Sequence, residues 1–527
     1  MLALVVIVVF SISVIVGQTI GARYSVAPPV LLILFGAALG LIPRIGDVQL
    51  DPDLVLLVFL PAILYWESLN ISIREIRANL RVIMLSAVVL VIATAAAVAG
   101  IAIALGMDSR AAWVLGAVLA PTDAAAIAGL AKRMPRRTLT TLRAESLLND
   151  GTALVLFAVA VSVATGEGDA APLHLAGEFL LSYGGGLAAG LVVAAAVVAV
   201  RRRLDEPLRE SALSIVTPFA AFLLAEVVHA SGVVAVVTAG LVLTQAGPRV
   251  IRARSRVQAY AFWDVATFLV NGSLFVLVGV QIPGVVDDLE DGRKLHALWI
   301  ALILTSVVVA TRLLWVHAMT GVIRSLDRRP SQRLRRATWQ ARTAIGWAGF
   351  RGAVSLAAAL AVPETIDGGE PFPDRDLIVF TTIVVILLTI IVQGTTLPAV
   401  VRWARLPEDT AREEEIHLAR TRASEAALEA LPTEAARLGV DGDLLARIRT
   451  EYEEHARDLE AEYSADGDGG AEVRELDRAL RLGLLQHKRS AVIALRDTRQ
   501  IDDIVLREIQ AQMDIEEVRL LGPAPAD

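Results

Sequence analysis

The sequence predicts an all-α polytopic membrane protein of about thirteen transmembrane helices followed by a charged helical tail. Three observations carry that prediction. Apolar runs recur through the first 400 of 527 residues, 55% of the chain is hydrophobic, and each run is long enough to cross about 30 Å of hydrocarbon. The loops between runs alternate between basic and nearly uncharged or acidic. From about residue 406 the composition turns abruptly to charged, helix-favouring sequence, so that 1–405 reads as the membrane domain and 406–527 as a cytosolic tail.

Hydropathy and breakers place the spans at roughly 1–21, 27–43, 53–70, 79–106, 110–131, 141–165, 178–200, 211–228, 231–247, 260–282, 296–322, 341–362 and 375–401. The first run, MLALVVIVVFSISVIVGQTI, has no basic n-region and no A-x-A site after it, so it reads as a membrane helix rather than a signal peptide. Loops after the odd-numbered spans are basic: Arg74/Arg77/Arg81, Lys132/Arg133/Arg136/Arg137, Arg201/Arg202/Arg203, Arg249/Arg252/Arg254/Arg256, and Arg324 to Arg336. Those after the even-numbered spans are often acidic, as in PGVVDDLEDG and PETIDGGEPFPD. By the positive-inside tendency the N-terminus faces out and the C-terminus the cytoplasm, as expected of a multi-pass plasma-membrane protein. The run GGGLAAG (184–190) marks close helix packing. In the tail, LPEDTAREEEIHLARTRASEAALEAL and Glu472 to Leu521 read as helices separated by the turn residues of YSADGDGG.

Composition excludes several classes of function. With no cysteine there is no disulfide, Cys-zinc site or thiol chemistry. The seven histidines are scattered without HxxxH or HxH spacing, and His417, His455 and His487 read as ordinary surface groups of the tail. No basic domain suggests a nucleic-acid partner, and no cofactor motif or nucleophile–base pair suggests an enzyme. Gly166-Glu167-Gly168-Asp169 matches the GxGD string of intramembrane aspartyl proteases, but the loop is expected outside the membrane and no Tyr-Asp dipeptide supplies the partner aspartate.

An ionisable group inside a span costs at least about 2.5 kcal/mol, so each is a functional candidate. Glu67 ends span 3, Asp123 lies mid-span in LAPTDAAA, Glu145 and Asp150 lie in span 6, and Arg312 sits well inside span 11. Spans 5 and 6 run in opposite directions, and at 1.5 Å per residue they place Asp123 about 20 Å and Asp150 about 14 Å from their entrances. The two carboxylates therefore reach one depth near the midplane. Pro121 removes a backbone hydrogen bond beside Thr122 and Asp123 and favours a broken helix there. Glu145 and Asn149 share one face of span 6, Ser146 and Asp150 another. Carboxylates, hydroxyls, an amide and unwound carbonyls are hard oxygen donors suited to an alkali cation. Low dielectric also favours a protonated carboxylate, so such a group can exchange a proton for a cation.

Span 12, AIGWAGFRGAVSLAAALAVP, places Gly346, Gly349 and Gly352 around Arg351 and reads as a second broken helix. Seven spans separate it from span 5, so the two run oppositely, which fits an inverted-topology repeat with two discontinuous helices crossing at the site. Taken singly, these residues have plainer roles. Glu145 and Arg312 can neutralise one another without taking part in transport, Arg351 can be helix glue or can hold carbonyls at the break, and Asp264 sits near a span entrance in an interfacial or capping role.

The stretches FLPAILYWESLNIS, LAPTDAAAIAGL, ESLLNDGTALVLF, SGVVAVVTAGLVL, FWDVATFLVNGSLFVLVGVQI and GFRGAVSLAAAL, in this order, resemble the monovalent cation:proton antiporter-1 family of sodium/proton exchangers. The resemblance implies a core and a dimerisation domain built from inverted repeats, a homodimer in the lipid bilayer, and Na+ (or Li+ or K+) and H+ as the exchanged ions. It implies that Asp150 takes cation and proton alternately, with Asp123 and Thr122 on the broken helix, and Ser146 and Glu67, as further ligands. Asn149 stands where the electrogenic branch has a second Asp, which implies electroneutral exchange. Glu145 resembles the acidic half of a structural ion pair, with Arg312 the better match than Arg351. The tail departs from the long animal regulatory tail. The rival functions are potassium/proton exchange and a non-transporting membrane sensor that signals through the tail.

Overall fold

A computed structural model describes residues 2–24, 27–43, 55–123, 134–166, 172–289, 291–326, 338–366, 369–406, 411–464, 468–498, 500 and 503–521. Of the sequence features named above, residues 124–130 of LAPTDAAAIAGL, Lys132, Arg133, the Glu167–Asp169 part of the GxGD string, Glu290, the arginines from Arg328 to Arg336, residues 367–368 of PETIDGGEPFPD, 407–410 at the start of the tail and 465–467 of YSADGDGG lie outside these residues. The chain divides into two compact units, Met1–Glu408 and Asp409–Asp527.

Among its described residues the first unit is built of helices and the segments joining them, with a single β-bridge between Thr365 and Pro371. Its helices are α1 (Leu2–Tyr24), α2 (Pro28–Gly40), α3 (Val55–Leu69), α4 (Ile73–Ala104), α5 (Ser109–Leu119), α6 (Arg136–Thr165), α7 (Pro172–Arg201), α8 (Pro207–Val227), α9 (Gly232–Val250), α10 (Ala253–Asp288), α11 (Asp291–Leu326), α12 (Trp339–Trp347), α13 (Ala353–Leu360) and α14 (Arg375–Ala404). Nine of them are long and apolar enough to cross a membrane, and α2, α3 and α5 are shorter apolar helices. With the interrupted pair α12–α13 they account for the thirteen segments read from hydropathy.

Local chemistry explains where several helices start. The Ser72 hydroxyl accepts the Glu75 amide at 3.4 Å, Asp108 Oδ1 accepts the Arg110 amide at 2.9 Å, Ser231 accepts that of Val234 at 3.3 Å, and Thr338 that of Ala341 at 3.2 Å. Each satisfies an orphan N–H of a first turn. One boundary differs from the sequence expectation. Helix α10 begins at Ala253, with no breaker between Arg252 and Asp264, so Asp264 is exposed within a helix already formed and is not at its entrance.

Two helix crossings depend on small residues. Where α2 crosses α10, a Cβ on Gly36 would fall 1.9 Å from the Val276 carbonyl oxygen and one on Gly279 2.1 Å from that of Ile33. Along α7 and α9, a Cβ on Gly186 would meet the Ser231 oxygen at 2.6 Å and one on Gly190 the Ala235 oxygen at 2.4 Å, so GGGLAAG packs backbone to backbone. The buried side chains form two large clusters. One joins α2, α5, α10, α13 and α14; the other joins α3, α7, α8 and α9 with Trp263 of α10.

The second unit contains α15 (Ala411–Leu438), α16 (Gly442–Ser464), α17 (Asp468–Asp497) and α18 (Asp503–Leu521). α15 pairs with α16, and α17 with α18. The second pair is tied by Arg489 to Asp514 and Glu517 and by Lys488 to Glu516 at 3.2 Å.

Candidate functional site

Two interruptions meet inside the first unit. α5 stops at Leu119, and residues 121–123 run on without helical structure past Pro121. The second interruption is 348–352, AGFRG, between α12 and α13. A helix that stops in a membrane leaves carbonyls and amides needing partners, and here each break serves the other. The Asp123 amide donates to the Phe350 carbonyl at 2.9 Å. Arg351 Nε donates to the Leu119 carbonyl at 2.7 Å and its Nη1 to Gly349 O at 3.2 Å, while its own amide donates to Thr389 Oγ1 at 3.3 Å. Arg351, 1% exposed, thus occupies its donors with the backbone of both breaks. Gly352 is required by proximity: a Cβ there would fall 1.8 Å from Asp123 Oδ2.

Helix α6 lies against the first break. Ser146 Oγ donates to the Thr122 carbonyl at 2.7 Å, and Asn149 Nδ2 donates to Thr122 Oγ1 at 2.7 Å. The sequence pattern separates Asn149 from the Ser146/Asp150 face, yet both Ser146 and Asn149 reach Thr122, because the break presents a carbonyl and a hydroxyl on a single residue. Asn149 Oδ1 is buried without a hydrogen-bond partner.

Asp150 is 7% exposed, and among the described residues no hydrogen bond or ion pair engages its carboxylate. It lines a cavity of ≈ 40 Å³ together with Glu67 of α3, Asp123, Ser146 and Asn271 of α10. Three carboxylates, a hydroxyl and an amide therefore face one small space, and among the described residues no cationic side chain lines it. All the donors are hard oxygens or an amide, which suits an alkali cation.

The other charges of α6 and its neighbours are arranged differently. Arg312 of α11 donates through Nη1 to Glu145 Oε1 at 2.6 Å, with Glu145 6% and Arg312 3% exposed. Gly349 makes room for this pair, since a Cβ there would lie 2.2 Å from Arg312 Cδ. The structure thus brings Asp150, Asp123, Ser146 and Glu67 to one cavity, places Thr122 and Asn149 in contact beside it, and sets Glu145, Arg312 and Arg351 apart from its lining.

Two polar residues near the site were not singled out from the sequence. Asn271 lies in FLVNGSLF, where a polar amide in a greasy helix is itself a signal. Tyr183 of α7 donates to the Leu148 carbonyl at 3.2 Å and lies 2.9 Å from the Thr152 hydroxyl, buttressing α6 on either side of Asp150. Nothing local in the sequence marks that contact.

Comparison with known proteins places this geometry. The model of the transmembrane sodium/hydrogen exchanger family matches residues 6–403. An uncharacterized Na(+)/H(+) exchanger of Mycobacterium tuberculosis is 60% identical over 527 residues, covering 99% of this chain and 97% of its own. The Na(+)/H(+) antiporter ApNhaP of Aphanothece halophytica is 31% identical over 389 residues, 72% of this chain and 70% of its own. Among solved structures, the sodium proton antiporter MjNhaP1 of Methanocaldococcus jannaschii at pH 8 shares the fold, with a TM-score of 0.59 at 19% identity over 76% of this chain and 99% of that one. A family model spanning three-quarters of the chain and a relative matched nearly end to end lead to one assignment: the chain belongs to the sodium/hydrogen exchanger family.

Proposed function

We propose that this protein is a plasma-membrane antiporter that exchanges a cytosolic sodium ion for an external proton, one for one, by alternating access. The observation that carries the proposal is the buried Asp150 carboxylate, which shares a cavity with Glu67, Asp123 and Ser146 and which no hydrogen bond or ion pair engages among the described residues. A buried carboxylate of that kind needs a mobile positive charge, and either a proton or a metal cation supplies it. Deprotonated Asp150, with Asp123 beside it, takes sodium from the cytosolic side. Ser146, Thr122, Glu67 and the unpartnered Oδ1 of Asn149 complete an oxygen shell. After the cation leaves on the far side, a proton neutralises the carboxylate for the return. ApNhaP is named for sodium alone, which supports sodium, whereas a Bacillus pumilus relative 31% identical is named for sodium, potassium, lithium and rubidium, which makes the potassium arm of the test below decisive. The neutral amide at Asn149 supports electroneutral stoichiometry, because a single carboxylate then alternates between a single proton and a single cation. The basic loops after odd-numbered spans support an external N-terminus and a cytoplasmic tail, and kinship with the exchangers supports a homodimer.

Reconstitution tests this directly. Proteoliposomes with an imposed proton gradient should show proton flux on addition of sodium or lithium, and little with potassium or with a choline control. Asp150→Asn should abolish the sodium-driven flux; normal flux in that variant would sink the proposal. Flux with potassium equal to that with sodium would replace sodium/proton by general monovalent cation exchange. No cation-driven flux in the wild-type protein would favour the sensor function instead. Because proton and cation compete for one carboxylate, the apparent affinity for sodium should fall as pH falls.

A further inference from the structure

A second and larger cavity lies away from the carboxylate cluster. It has a volume of ≈ 240 Å³ and is bounded by the end of α7 and by α3, α8, α9 and the start of α10. Two buried residues of opposite charge line it: Arg201, 5% exposed, and Glu210, 2% exposed. In a low-dielectric setting such charges attract strongly and are expected to pair. Among the described residues no ion pair joins them, and Arg201 Nε and Glu210 Oε1 both lack a hydrogen-bond partner. The fold holds them in place by other means. Arg201 closes the last turn of α7, and the other Glu210 oxygen accepts the Ser255 hydroxyl from α10.

Three aromatic side chains share the rest of the wall with aliphatic and hydroxyl groups. Tyr65 and Trp263 are fully buried, with ring centroids 5.4 Å apart, and the Trp263 indole is oriented by its N–H donating to Ser214 Oγ at 3.2 Å. Tyr260 and Arg256 line the cavity and are exposed, so they mark its mouth. Tyr260 is in turn supported edge-on by Trp66 at 5.2 Å. A carboxylate beside aromatic faces suits an ammonium group, and a guanidinium with a second arginine at the mouth suits a phosphate. Ser214, Thr244 and Ser255 also line the cavity, so water can bridge the two charges, and titration of the wild-type protein separates that case from a bound ligand. We infer that this cavity binds a phosphate–amine zwitterion, with the amine at Glu210 and Trp263 and the phosphate at Arg201 and Arg256. Aminophospholipid headgroups and free phosphoamines share that chemistry.

Isothermal titration of the full-length protein in detergent, with O-phosphoethanolamine, inorganic phosphate and ethanolamine as separate probes, tests the inference on the wild-type chain. Saturable binding of O-phosphoethanolamine, at least about tenfold tighter than either fragment, is the expected result. Glu210→Gln keeps a partner for Ser255 and should remove the advantage over inorganic phosphate, whereas Arg201→Gln should weaken phosphate and zwitterion together. Native mass spectrometry after extraction from mixed vesicles distinguishes the sources. Retained phosphatidylethanolamine in preference to phosphatidylglycerol, displaced by O-phosphoethanolamine, identifies a lipid; binding of the soluble probe without lipid retention identifies a free ligand. Absence of saturable binding by the wild-type protein together with no lipid preference, or undiminished binding and preference in Glu210→Gln, overturns the inference.

Discussion

One helix, α6, carries two buried acids five residues apart with opposite fates. Glu145 meets an arginine at 2.6 Å. Asp150 has no such partner and faces two further carboxylates across a cavity of ≈ 40 Å³. The first arrangement is complete as it stands, because the charge is neutralised inside the protein. The second is incomplete without a mobile ion. Charge balance therefore separates the residue that holds the helix from the residue proposed to work, where hydropathy and burial treat them alike.

The sharpest way to break this contrast is to remove each acid in turn. Asp150→Asn should eliminate exchange in proteoliposomes while leaving the thermal melt of the purified protein unchanged or raised, since a buried charge is lost without stranding a partner. Glu145→Ala should do the reverse to stability, lowering it by about 3–5 kcal/mol because Arg312 is left buried and uncompensated. A double replacement, Glu145→Leu with Arg312→Leu, should recover most of that loss in the same melt. If the single and double variants melt together, the pair does not hold the fold in the way proposed.

Next in size is Gly352→Ala, which puts a methyl where Asp123 Oδ2 would lie 1.8 Å away. It should cost about 1–3 kcal/mol as overpacking and lower exchange by displacing the Asp123 carboxylate. The equivalent change at Gly100, which has no neighbouring atom within 4 Å of the added carbon, should leave both untouched. Asn149→Asp acts on charge more than on packing, since Thr122 can reverse its hydrogen bond and donate. Its consequence is electrical: exchange should become sensitive to an imposed membrane potential, and unchanged voltage dependence would argue against Asn149 as the determinant of stoichiometry.

Much of the fold was legible because membrane helices announce themselves by length and hydropathy, and because Pro121 and the glycines around Arg351 signal backbone breaks. The shared depth of Asp123 and Asp150 followed from helix rise and span direction alone. The sequence could not show that Asp123 bonds to Phe350, or that Arg351 serves the Leu119 carbonyl, since these contacts join residues more than 200 positions apart. It offered Glu145 two candidate arginines, and only packing shows Arg312 in contact with it and Arg351 spent on backbone. Asn271 and Tyr183 went unremarked for a different reason. A single polar group in a helix says nothing of which neighbour it faces.

The bond from the Asp123 amide to the Phe350 carbonyl has a kinematic consequence. Together with the Arg351 contacts and the two bonds from α6 to Thr122, it fastens both breaks and α6 into one piece. Glu67 and Asn271 reach the same cavity from α3 and α10 without a hydrogen bond from either side chain to that piece being among its fastenings. Any sliding between these parts would carry Asp123, Ser146 and Asp150 as a fixed constellation past a changing wall. A cation held there would keep the oxygens of that piece and lose or gain those of Glu67 and Asn271, so the shell could loosen on one side of the membrane without Asp123 and Asp150 having to move apart.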